Sequence, residues 1–210
     1  GAAIPVGQIT PKQMIRIAEL AENYGSGEVR LTVWQNLIIP NVPTAFVDTV
    51  KKALRRIGFD TKQSHLRSGF IACTGNSYCK FASSNTKGHA LEFMDYLDGR
   101  VALDQPVNVH LTGCPHSCAQ HYMGDIGLLG TKAKVGGESV DGYHVFVGGG
   151  FGSNQAVGRQ VFTALSAEDT KFTLERMLKS YLTHRENGES FQAWSNRHEV
   201  GRLQEMFADG

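Results

Sequence analysis

The sequence predicts an α+β fold, and three observations carry that reading. The first third orders its patterns as helix, strand, strand, helix, strand, a compact α+β unit. Composition then shifts near Ser68-Gly69, where loops rich in Gly, Ser and Asn begin. Beyond that point strand and long-helix patterns alternate to the end of the chain. With 210 residues and 41% hydrophobic content, the chain can bury a core without covalent staples.

Each element has a local reason. Thr10 before Pro11 reads as an N-cap with proline at the first helical position, and Met14, Ile17, Ala18 and Ala21 follow at helical spacing until Gly25. Val29, Leu31 and Val33 alternate as in a half-buried strand, and Leu37-Ile38-Ile39 forms a second extended run. Pro43 opens a helix with Phe46, Val47, Val50, Leu54 and Ile57 on one face; Gly58 ends it, and a short strand is expected over 59–62. Further helix is expected over 89–97, and strands over 107–111, 126–129 and 143–147. Ser166 with Glu168 and Asp169 resembles a capping box and starts a helix running to about Arg185. Ser190 precedes a final helix carrying Phe191, Trp194, Leu203 and Phe207.

The bulk properties exclude several classes. A net charge of +1 gives no pull toward nucleic acid or a membrane surface. No apolar run is long enough to span a bilayer, and no leader or targeting signal opens the chain. It starts at Gly1 without Met, so part of the protein is expected upstream.

All four cysteines sit in two tight pairs: Cys73 and Cys79 in CTGNSYC, Cys114 and Cys118 in TGCPHSCAQ. Four soft thiolates delivered two and two suit a metal or an iron–sulfur cluster. Cys114 and Cys118 are spaced i, i+4. If Pro115 starts a helix, both thiolates share one face near its N-terminus, where negative charge is favoured. The small residues Thr74, Gly75, Asn76 and Ser77 can bring N–H groups close to sulfide. Structural zinc and disulfides are the alternatives. Zinc pairs usually enclose two to four residues, fewer than the five between Cys73 and Cys79. Disulfides need an oxidising compartment, which nothing in the chain supports.

CTGNSYC followed by LTGCPHSCAQHYMGDIGLLG resembles the cluster region of assimilatory nitrite and sulfite reductases. RLTVWQNLIIPNVP resembles the ferredoxin-like half-domain that precedes it, and DGYHVFVGGGFG the glycine-rich strand and turn after it. The resemblance implies a ferredoxin-like half-domain over 1–66, then a mixed-sheet α+β domain over 67–210 holding a 4Fe-4S cluster and sirohaem. It implies Cys73, Cys79, Cys114 and Cys118 as cluster ligands, with Cys118 also the axial ligand of the sirohaem iron. The implied reaction is six-electron reduction of nitrite to ammonia, since nitrite enzymes share the CTGN-aromatic-Cys loop; reduction of sulfite to sulfide is the alternative, and a non-catalytic zinc module the rival of another class. The resemblance covers only the second half of such enzymes. It therefore implies the N-terminal half as partner, bringing the Arg and Lys residues that grip the anion, and a fragment without turnover alone. Ferredoxin or another low-potential donor is implied, in bacterial cytoplasm or plastid stroma. Asn85 departs from the family, which commonly has Glu before Thr-Lys.

Other features read more plainly. His110, His116 and His121 crowd the second pair and read as packing or hydrogen-bonding residues rather than ligands. Gly148–Gly150 and Gly152 do not match a dinucleotide loop and read as a tight turn or close approach. Lys132 and Lys134 read as solvated, Lys51, Lys52, Arg55 and Arg56 as the polar side of a helix, and Trp34 and Trp194 as core.

Overall fold

The structure is a computed structural model that describes residues 1–208. It is α+β, built around two hydrophobic cores. The smaller core lies within the first 60 residues. There α1 (Pro11–Tyr24) and α2 (Val47–Arg56) pack beside a two-stranded antiparallel ladder of β1 (Arg30–Leu31) and β2 (Leu37–Ile38). Ile17, Leu20, Val50 and Leu54 fill the space between them. The capping box that starts α1 is complete: Thr10 Oγ1 accepts from Gln13 N, and Gln13 Oε1 accepts from Thr10 N.

The larger core lies under a five-stranded mixed sheet ordered β3-β4-β5-β6-β7. Its strands are β3 (Phe70–Ala72), β4 (Val109–Thr112), β5 (Ile126–Val135), β6 (Glu138–Val147) and β7 (Arg159–Ser166). β3, β4 and β5 run parallel; β5, β6 and β7 run antiparallel. Helices α3 (Thr86–Leu97), α4 (Ala167–His184), α5 (Phe191–Asn196) and α6 (Val200–Ala208) contribute Phe93, Leu174, Trp194 and Phe207 to this core. Alternation decides which strand residues join them: Val109 and Leu111 of β4 face the helices, while His110 and Thr112 face the other way.

Several expectations fail, each for a local reason. Leu31 and Val33 are 85% and 87% exposed rather than half-buried, because β1 pairs only with β2 and no layer covers them. The strand over 59–62 reduces to one bridge between Asp60 and Ala3. Pro43 leads into a short 3-10 turn before α2, and Phe46 stays exposed. The final helix is two, α5 and α6. Trp34 is half-buried and belongs to neither core; it packs on Phe151 and edge-on to His110. Trp194 is fully buried as expected. β3 and β7 were not legible in the sequence. No helix among the described residues is long and apolar enough to cross a membrane.

Candidate functional site

Two parallel strands deliver the first cysteine of each pair. β3 ends at Ala72 and β4 at Thr112, in register through Ala72 and Leu111. Cys73 therefore follows one strand and Cys114 its neighbour, at the carboxyl edge where parallel sheets place their sites. Cys73 N continues the ladder by donating to Leu111 O at 3.0 Å.

The loops then bind to one another. Ser83 N donates to Gly113 O at 2.7 Å, and Gly113 N donates to Cys73 Sγ at 3.2 Å. Phe81 of the first loop meets the His116 ring edge-on, with centroids 5.2 Å apart. A side chain at Gly113 would meet Ala82 Cβ at 2.6 Å, so glycine permits this approach. Gly75, at φ +71, lets the first loop turn against Thr86 and Ser84. Cys79 N returns to Gly75 O at 3.0 Å and closes that turn.

Cys73 is held from further sides. Thr86 Oγ1 donates to Cys73 O at 2.7 Å and lies 3.6 Å from its sulfur. Gln35, from the turn between β1 and β2, and Lys87 both donate to Ala72 O, one residue upstream. Sequence reasoning missed these three, because side-chain bonds to distant backbone leave no periodic trace.

The second pair departs from its expected form. Pro115 starts no helix. Ser117 and Gln120 both take left-handed φ, at +56 and +55, and 114–120 is a chain of turns. Cys114 is consequently buried while Cys118 is exposed, rather than both lying on one helix face. Two histidines hold this loop. His110 Nδ1–H donates to Ala119 O at 2.8 Å, with Gln120 O at 3.2 Å, which leaves Nε2 buried without a partner. Burial lowers its pKa and those two carbonyls oppose the shift. His121 Nδ1 bonds Ser117 Oγ at 2.9 Å, and its pKa is lowered by burial and then by His110. Both act as hydrogen-bonding residues. His116 is exposed, with Nδ1 3.5 Å from Cys114 Sγ.

The remaining candidates resolve structurally. Gly148 has φ +82, and side chains at Gly149 and Gly150 would strike Gly124 O and Gln192, so the glycine run is a close-packed turn. Lys132 pairs with Asp141 at 2.6 Å, whose Oδ2 also accepts from Asn85 N and Asn76 Nδ2. Asn85 Oδ1 caps α3 by accepting from Gly88 N at 3.2 Å.

The donor set suits a soft cluster. All four thiols are free, one sulfur already accepts a backbone N–H, and the two loops are too closely packed at Gly75 and Gly113 to admit side chains there. Among the described residues no three His, Cys, Asp or Glu side chains gather as ligands of one ion.

Comparison with known proteins shows the family. Residues 1–57 match the nitrite/sulfite reductase ferredoxin-like half domain, and residues 67–207 the nitrite and sulphite reductase 4Fe-4S domain. The ferredoxin–nitrite reductase of Synechococcus elongatus is 38% identical over 85% of this chain and 35% of its own length. Sulfite reductase [ferredoxin] 1 of Mycolicibacterium paratuberculosis is 34% identical over 94% of this chain and 37% of its own. The structure of Mycobacterium tuberculosis NirA superposes with a TM-score of 0.90 at 30% identity, covering 96% of this chain and 38% of that one. The chain thus spans about a third of the length of the curated relatives it matches.

Proposed function

The chain belongs to the nitrite and sulphite reductase 4Fe-4S family, and from that membership we propose that it is the C-terminal part of a ferredoxin-dependent nitrite reductase. In this reading residues 1–66 are a ferredoxin-like half-domain and 67–210 the domain for the 4Fe-4S cluster and sirohaem. Cys73, Cys79, Cys114 and Cys118 would hold the cluster, and Cys118 would also hold the sirohaem. The observation that carries it is the joining of the two cysteine loops at the ends of β3 and β4 through Ser83, Gly113 and Cys73.

When bound, the two groups would supply one-electron redox chemistry here. The chain's own residues prepare the place. Gly113 N–H offsets thiolate charge at Cys73. Cys114 is buried, while Cys118 is exposed and so accessible to a second partner. Nitrite as substrate is supported by the Thr74-Gly75-Asn76 loop and by nitrite reductases matching at 38–40% identity, against 34% and 31% for the sulfite enzymes. The Arg and Lys residues that grip the anion belong to the N-terminal half, and ferredoxin is the donor.

Iron and acid-labile sulfide in the full-length enzyme test the cluster, and visible absorption tests the sirohaem. Five irons, four of the cluster and one of the sirohaem, and four sulfides per chain are expected; zinc without sulfide overturns the reading. Steady-state rates with reduced ferredoxin should favour nitrite over sulfite in kcat/KM. The isolated fragment should show no nitrite-dependent oxidation of a reduced donor.

A further inference from the structure

Lys87 lies in the first turn of α3, beside the first cysteine loop, and its ammonium turns back into the protein. It donates to Ala72 O at 3.1 Å and to Val6 O. Both acceptors are neutral, and Lys87 forms no ion pair with a carboxylate within 4.0 Å among the described residues. Its side chain is half-buried. Burial lowers its pKa, and the one ionisable group pulling the other way is Cys73. An ammonium withdrawn from water and given only carbonyls lacks its counter-charge.

We propose that Lys87 is the counter-charge of the cluster, a positioning residue whose fixed positive charge beside Cys73 raises the cluster's reduction potential. The inference rests on the cluster reading above. A thiolate-ligated cluster becomes more negative on reduction, so a nearby cation stabilises the reduced form more than the oxidised one. The charge is held in place by design of the backbone around it. Val6 takes φ +45, a costly conformation for a branched residue, and its carbonyl accepts from the Lys87 ammonium. Ala72 O, the other acceptor, is also fixed by Gln35 at 2.8 Å. The electrostatic environment of Cys73 is thus set partly by Val6 and Gln35.

The test uses the full-length enzyme and its Lys87→Met and Lys87→Arg variants. Iron and labile sulfide per chain are measured first, then the cluster midpoint by a redox titration followed by electron paramagnetic resonance. Lys87→Met should lower the reduced-to-oxidised ratio about tenfold at a fixed solution potential, about 59 mV for one electron. Lys87→Arg, which keeps the charge, should stay near wild type. A fully loaded Lys87→Met enzyme with the wild-type midpoint overturns the proposal, as does an equal shift in Lys87→Arg. If Lys87→Met does not load a cluster, melting of the apo full-length chains decides. A Tm at or above that of wild-type apo enzyme supports the counter-charge; a lower one makes Lys87 structural and overturns it. Wild-type enzyme without labile sulfide would overturn the cluster reading itself.

Discussion

The side-chain amide of Gln35 is hydrogen-bonded twice to the backbone of Ala72. Nε2 donates to Ala72 O at 2.8 Å, and Oε1 accepts from Ala72 N at 3.1 Å. Ala72 is fully buried and ends β3, the edge strand of the mixed sheet. The amide therefore occupies the place of a further strand, one residue before Cys73. Gln35 reaches it from a left-handed turn at φ +58 between β1 and β2. This joins the half-domain to the backbone that presents the first cysteine.

Gln35→Ala should destabilise the chain by roughly 1–3 kcal/mol, because it leaves the buried Ala72 N–H unpaired and Ala72 O with Lys87 as its remaining donor. Gln35→Glu should cost more, since a carboxylate oxygen then faces Ala72 O. Urea unfolding of the chain, with and without each substitution, measures both.

Gly113→Ala should uncouple the two cysteine loops. Its new Cβ meets Ala82 Cβ at 2.6 Å, and the shift needed to relieve that contact draws Gly113 N away from Cys73 Sγ. The expected outcome is a large loss of labile sulfide per full-length chain with far-ultraviolet circular dichroism unchanged. Retention of a full cluster would contradict the role given to this glycine.

Asp125 gives the fold a defined pH dependence. Burial pushes its pKa up to about 6, against hydrogen bonding from Asn108 N to Oδ2 at 2.8 Å. The folded state thus binds the proton more tightly than the unfolded chain, whose value is near 3.8. The contribution of Asp125 is most favourable below that value and is lost as pH rises through about 6. Asp125→Asn should remove this dependence and be neutral or stabilising at pH 8, by at most about 3 kcal/mol. Thermal melting between pH 4 and pH 8, within the range where other carboxylates titrate little in the variant-minus-wild-type difference, checks the sign.

Asn85→Ala should cost about 1 kcal/mol through loss of the α3 cap. Gly88→Ala should cost a similar amount indirectly, because its Cβ would sit 2.3 Å from Asn85 Nδ2 and expel the capping side chain. The double variant should be less destabilised than the sum of the two, since both remove one bond. Equilibrium unfolding of all four chains gives the coupling.

Much of the fold was legible where a local residue causes a local structure. Thr10, Ser166 and Ser190 each cap the helix expected after them, with hydrogen bonds to Gln13 N, Asp169 N and Ala193 N. The illegible parts have other causes. β3 is three residues buried on both faces, so it has no alternation to read. β7 is broken by Ala164 at φ +50 and by shifts in its register with β6. β1 alternates as a half-buried strand would, yet Leu31 and Val33 are exposed, because burial depends on what lies across from a face.

The site divides in the same way. The sequence alone determined its chemistry: four thiols in two pairs, on loops whose glycines admit close approach. It also determined the helix caps and the strand that delivers the second pair. The tertiary structure decided how the pairs meet, that Ser117 and Gln120 turn the second loop away from a helix, and that Cys114 is buried while Cys118 is exposed. It also brought Gln35, Thr86, Lys87 and Gly113 to the backbone and sulfur at Cys73. Those contacts join residues up to 40 positions apart through single side-chain or backbone bonds. Such bonds follow no sequence period, so only the packed chain reveals them.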